Sequence, residues 1–153
     1  MAAGPEAWHE AGHAVAAIAY GGEVKYMTLD SEFDDHDGHV EVAWHLPPGE
    51  DRSRRLAAVA LAGPIAELVH LGEDRLDSPE VLSSWSGDWS EAEGCLEELH
   101  PDEEHRTRLR RELVREVRAL FENPEVYERT ARVADALEAH GSLDDTLLED
   151  ALG

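Results

Sequence analysis

The sequence predicts an α+β fold that is mainly α-helical, and three observations carry that reading. Several long segments place apolar residues three and four apart, as one face of a helix requires. Two short segments rich in β-branched or aromatic residues alternate roughly as half-buried strands do, and Gly or Pro punctuates the joins. At 153 residues the chain is long enough to bury one core without staples, so residues 1–153 read as a single domain.

The first helix starts at Pro5, which the first turn tolerates, with Glu6 at the positive end of the helix dipole. Ala7, Ala11, Ala14, Val15 and Ile18 form its buried face, and Gly21-Gly22 stops it. Val24 to Leu29 and His39 to His45 read as an antiparallel pair joined by a long acidic loop. Pro47-Pro48-Gly49 breaks regular structure before a helical pattern from Arg52 to Leu71, whose apolar positions include Leu56, Val59, Leu61, Ile65 and Leu68. Gly63-Pro64 in its middle should kink or divide it, because proline lacks the amide hydrogen and crowds the preceding turn.

Residues 72–87, rich in turn formers and acids, read as a loop. Asp88 is placed to cap or begin a helix from Trp89 to Leu99. Beyond Pro101, Leu109, Leu113, Val117, Leu120 and Phe121 make one stripe, and Pro124 to His140 makes another with Val126, Thr130, Val133 and Leu137. These two helices and a last one, Leu143 to Leu152 after Gly141, form a C-terminal helical bundle.

Thirty-five acidic residues against 13 basic give a net charge of -22, which argues against nucleic acid and anionic membrane surfaces as partners and favours cationic or unfolded peptides. The one basic series, Arg106, Arg108, Arg110, Arg111, Arg115 and Arg118, is interleaved with glutamates three or four residues away and reads as intrahelical pairing on a solvated face. A single cysteine, Cys95, excludes an intrachain disulfide framework and any cysteine-based zinc site, so a metal must use His, Asp and Glu. Cys95 itself reads as a small core residue. No run of about 18 apolar residues and no basic-then-apolar leader is present, and the expectation is a soluble, cytoplasmic protein.

The chemistry concentrates in His9-Glu10-Ala11-Gly12-His13, an H-E-x-x-H motif on the first helix. Two histidines four residues apart share a helix face, their Cβ atoms about 5–6 Å apart, so both rings can reach one metal. A catalytic zinc takes three protein ligands and leaves a position for water, from which a neighbouring carboxylate, here Glu10, takes a proton and passes it to the departing amine. Other carboxylates and histidines that could supply a third ligand are Glu67 with His70 on one helix face and the Asp34, Asp35, His36, Asp37 and His39 cluster in the hairpin loop, which otherwise reads as solvated. Trp85 and Trp89 flank Asp88, either as a wall of a substrate cleft or as packing onto the core.

His9 to His13, followed by Ala14-Val15 and Tyr20-Gly21, resembles the start of the peptidase domain of the FtsH family of AAA+ zinc metalloproteases. Leu61-Ala62-Gly63-Pro64-Ile65-Ala66-Glu67-Leu68 is similar to that family's helix with a Gly-Arg-Ala-Ala-Glu pattern, and Ser86-Gly87-Asp88-Trp89 to its Gly-x-x-Asn-Asp-Leu stretch. The resemblance implies a zincin-like fold with a small antiparallel sheet beside the zinc helix. It also implies His9, His13 and Asp88 as ligands of Zn2+, Glu10 as general base, and Glu67 as a residue holding a ligand in place. Pro64 and Gly87 depart from the pattern's Arg and Asn. The ATPase module and transmembrane helices of family members are not in the sequence, so the expectation is a stand-alone zinc metallopeptidase acting on peptides or unfolded proteins, monomeric or a small oligomer, with a separate ATPase as a candidate partner. The alternatives are a catalytically silent zinc-bound interaction module and a regulatory peptidase that cuts one protein partner. The edge of the second strand offers backbone donors and acceptors on which an extended peptide could align by strand addition.

Overall fold

The computed structural model describes residues 3–30, 38–73, 82 and 85–153. Six helices and three strands lie in the order α1 (Pro5–Ala19), β1 (Glu23–Thr28), β2 (His39–Ala43), α2 (Glu50–Leu71), α3 (Ser86–Leu99), α4 (Glu103–Glu122), α5 (Pro124–His140), β3 (Ser142–Asp144) and α6 (Asp145–Leu152) among the described residues. The fold is therefore α+β and mainly helical, as expected. None of the described helices is long and apolar enough to cross a membrane.

Helix α2 is the centre of the molecule, packed by α1, α3 and α4, while α1 also rests on α5. The α1–α2 contact is built from small residues. Gly12 of α1 lies over Ala62 and Ala66 of α2, where an added Cβ would stand 2.5 Å from the Ala66 Cβ and 2.9 Å from the Ala62 carbonyl oxygen, so the two helix backbones approach closely. Pro64 leaves α2 as one helix, so of the two outcomes expected there, a kink or a division, the division does not occur. Its ring lies in the buried stretch Ala57 to Ala66, where packing on three sides holds the turn that a proline would otherwise open. Gly72, with positive φ, ends the helix in the left-handed conformation that costs glycine least.

The sheet differs from the expected pair. It has three antiparallel strands in the order β2-β1-β3, with Met27 opposite both Val40 and Leu143. The last helix, expected from Leu143, starts at Asp145 instead: Ser142–Asp144 forms β3, and the Asp144 side chain caps the helix by accepting from the Leu147 amide. A three-residue strand has no periodicity to read, and its pairing with β1 supplies what local pattern cannot. The sheet packs beside α1 and leaves β2 on an outer edge.

The charged helix α4 also departs from expectation. Arg118 pairs with Glu122 within the helix, but Arg110 crosses to Glu93 of α3 with a two-pronged contact at 2.6 and 2.8 Å, and Glu116 takes Arg54 from α2. Arg110 also lies over the Trp89 ring, 5.1 Å from its centroid, so Trp89 joins α3 to α4. Cys95 is half-buried against the core rather than inside it. The Asp34 to Asp37 part of the hairpin loop, and most of the stretch before Trp85, lie outside the described residues.

Candidate metal centre

The motif lies on α1, where Glu6, His9, Glu10 and His13 fall on one face. Trp8, on the opposite side, is 3% exposed and anchors that orientation. Its indole stacks on His70 of α2 at 4.3 Å and tilts against Tyr127 of α5 at 4.9 Å.

Each histidine is held from behind. Nδ1 of His13 lies 2.8 Å from the Val59 carbonyl, which can only accept, so that nitrogen carries the hydrogen and Nε2 is the free donor of an electron pair. Nδ1 of His9 lies 3.4 Å from a Glu67 carboxylate oxygen, with the same consequence. The two Nε2 atoms then converge to 3.2 Å. A tetrahedral ion bound at about 2.0–2.1 Å needs ligand nitrogens about 3.3 Å apart, so the spacing fits one metal between the rings.

Asp88 meets both rings, with Oδ2 at 2.7 Å from His9 Nε2 and Oδ1 at 3.3 Å from His13 Nε2. It does not cap α3, as the sequence had suggested. It lies inside the first turn, and Trp85 holds the cap position without a side-chain bond. That shift of one turn turns the carboxylate towards α1 rather than back onto its own amides. Among the described residues, His9, Glu10 and His13 form a group close enough to hold a metal ion, their candidate ligand atoms within 4.8 Å of one another. His39 stands at the start of β2 on the cleft wall, and Glu67 stands behind His9.

The electrostatics follow from this crowding. Burial works against a proton on His9, but its hydrogen bonds to Asp88 and Glu67 outweigh that and raise its pKa to about 9. His13 is likewise raised, burial again being overcome by the bond to Asp88. Burial disfavours the charged Asp88, yet the two histidines hold its carboxyl well below the usual range. Without a metal, protons occupy the lone pairs that a cation would take, so cation and proton compete for the same place. Glu10, 9% exposed, is raised by burial, which makes it a stronger base than a free carboxylate.

Two glycines make room for these groups. A Cβ at Gly63 would overlap Nε2 of His13 and lie 2.6 Å from its Cε1, so α2 must be bare there for the ring to occupy its position. A Cβ at Gly38 would lie 2.7 Å from Cγ and Cδ of Glu10, so the backbone just before β2 presses directly on that side chain. Neither role was read from the sequence. The Gly63-Pro64 pair drew attention only as a helix breaker, and a backbone carbonyl such as that of Val59 carries no residue-type signal at all.

The centre opens into a cleft of about 760 Å³. Trp85 lines it and stacks over His9 at 6.4 Å between ring centroids, so this indole belongs to the cleft wall, unlike Trp89. No protein-family model matches the chain, and no curated protein matches it.

Proposed function

We propose that this chain is a zinc-dependent peptidase of the kind its motifs resemble, the FtsH-type peptidase domain, with His9, His13 and Asp88 holding the metal and Glu10 acting as base and then acid. The observation that carries the reading is the convergence of the two Nε2 atoms on Asp88 while both Nδ1 atoms are tied to acceptors behind them. An all-His/Asp donor set with three protein ligands is the pattern of a catalytic zinc site, which keeps a position open. When bound, zinc supplies a water acidified towards pKa about 7 and polarises the substrate carbonyl.

The protein's own groups do the rest. Glu10, adjacent to His9 and raised by burial, accepts the water's proton and later delivers it to the departing amine nitrogen. Glu67 and the Val59 carbonyl keep the rings from turning. Strand β2 is an outer strand whose Val40 and Val42, with Trp44 just beyond its end, line the cleft, which suits alignment of an extended peptide by strand addition. The test is zinc content and cleavage of an unfolded protein by the wild type and by Glu10→Gln. Zinc in both, with cleavage lost only in the variant, is the expected result; a wild type without zinc would contradict the reading.

A further inference from the structure

The two histidines are each held from behind, His13 by the Val59 carbonyl and His9 by Glu67. Asp88 is not: among the described residues its side chain meets only the two rings. Its aim therefore depends on the roll of α3 about its own axis. On α3, Asp88, Ala92 and Leu96 are four apart and share one stripe, along which Ala92 and Leu96 are buried. An alanine and a leucine make a narrow seam that resists roll weakly. Trp85 caps no amide with its side chain, and at the far end of the helix a single 3.0 Å bond from Ser53 reaches the long, exposed Glu98. A carboxylate stands about 5–6 Å from the helix axis, so a roll of about 10° carries it about 1 Å. A metal–ligand bond holds to within about 0.2 Å.

Arg110 of α4 supplies the restraint that the seam lacks. Its guanidinium takes Glu93 at 2.6 and 2.8 Å and lies 5.1 Å from the centre of the Trp89 ring. Trp89 and Glu93 are four apart on α3, about 100–140° round the axis from Asp88, so one planar group grips two successive turns on a second face. The ion pair is sheltered, with Arg110 16% and Glu93 23% exposed. Buried Leu113, Val114, Val117 and Phe121 seat α4 in the core, which makes it a fixed anchor for the grip.

Resting on His9, His13 and Asp88 as the metal ligands, we propose that Arg110 is a positioning residue of the metal centre: by gripping Trp89 and Glu93 it sets the roll of α3 that presents Asp88 to the two histidines. Arg110 is outside the cleft lining and acts through Asp88 alone.

The test reads Zn2+ affinity of the full chain by competition with a chelating dye, in wild type, Arg110→Gln, Asp88→Ala and the double variant, with circular dichroism as the check on folding. Arg110→Gln should bind Zn2+ about tenfold more weakly, the lower end of what partners behind metal ligands contribute. With Asp88→Ala already in place, the same change should cost less than about twofold, because the carboxylate it acts through is gone. Arg110→Lys keeps the charge but offers a point in place of a fork; it should fall between the two, and it carries the test if the Gln variant does not fold. Arg118→Gln removes the same charge from the same helix, breaks only the pair with Glu122, and should leave affinity unchanged. With Co2+ in place of Zn2+, Arg110→Gln should weaken the visible absorption of a four-coordinate ion as one ligand leaves the set.

Wild-type affinity in the Arg110 variants would overturn the inference. So would a loss as large without Asp88 as with it, since a general loosening of the fold would then explain it, or an equal loss in Arg118→Gln, since bulk charge would. Cleavage of an unfolded protein is measured alongside. Zn2+ binding and cleavage without the Arg110 effect sink only this inference, the Arg110 effect without cleavage sinks only the peptidase reading, and a wild type that binds no Zn2+ overturns both.

Discussion

Gly63 of α2 faces the imidazole of His13 so closely that any Cβ there would overlap Nε2. Because that nitrogen is the one turned towards His9 and Asp88, a single methyl group at Gly63 would displace the ring atom proposed to bind the metal. Gly63→Ala should fold, at a cost of about 1–3 kcal/mol for overpacking, but bind metal at far below one equivalent. Metal analysis beside a circular dichroism spectrum checks this; full metal content would mean the ring has another place to go.

Glu67 stands 3.4 Å from Nδ1 of His9 and would act on a bound metal through that ring. Removing a carboxylate that orients a histidine ligand costs about 10–100-fold in metal affinity. Glu67→Ala should show a loss of that size in a chelator competition, and Glu67→Gln, which keeps an acceptor oxygen, a smaller one. Affinities equal to wild type in both would mean that the 3.4 Å pair with Nδ1 does not hold the ring.

Far from the cleft, Glu116 joins three elements by accepting from Tyr20 and pairing with Arg54. Burial alone would raise its pKa, but the bonds from Arg54 and Tyr20 outweigh it and lower it. A carboxyl whose folded pKa is depressed stabilises the fold above its unfolded pKa of about 4.3, and the contribution disappears as pH falls through the folded value. Glu116→Gln should therefore be less stable than wild type by up to about 1 kcal/mol at pH 7, with the gap closing below about pH 4. Urea unfolding at a series of pH values measures it, and a gap that widens in acid would have the wrong sign.

Thirty-five carboxylates against 13 basic side chains leave most of the negative charge without a partner of opposite sign. Screening should relieve that self-repulsion. Raising NaCl from about 10 mM to about 0.5 M should lift Tm by roughly 3 °C, the shift that about 1 kcal/mol produces in a domain of this size. A falling Tm would mean that the ion pairs, such as Arg110 with Glu93, outweigh the repulsion.

What could be read in advance was what repeats or has chemistry in its side chain. The helices from Pro5, near Arg52 and from Pro124 were legible because their apolar positions recur over three turns or more and their ends carry Pro or Gly. His9, Glu10 and His13 were legible because metal binding demands those types at that spacing. Asp88, 79 positions from His9, meets that ring across the chain, a contact no local pattern shows, and of the two places open to it, capping α3 or lying at its start, it takes the second, inside the first turn.

The remainder depends on contacts between distant parts of the chain. β3 exists because Leu143 finds Met27, not because three residues favour a strand. Gly63 and Gly38 matter because of what faces them across a helix interface and a strand end, and glycine looks the same in sequence whatever it faces. Arg110 finds no acidic residue three or four positions away on α4, and its partner, Glu93, comes from α3.

With His9, His13 and Asp88 proposed to hold a catalytic zinc and Glu10 to act as the base, zinc in purified wild type and Glu10→Gln is measured by mass spectrometry, and cleavage of an unfolded chain by both. One zinc per chain is expected in each, with a loss of about 10²–10⁴ in cleavage rate in the variant. No zinc in the wild type, or equal cleavage by the two proteins, would contradict that assignment.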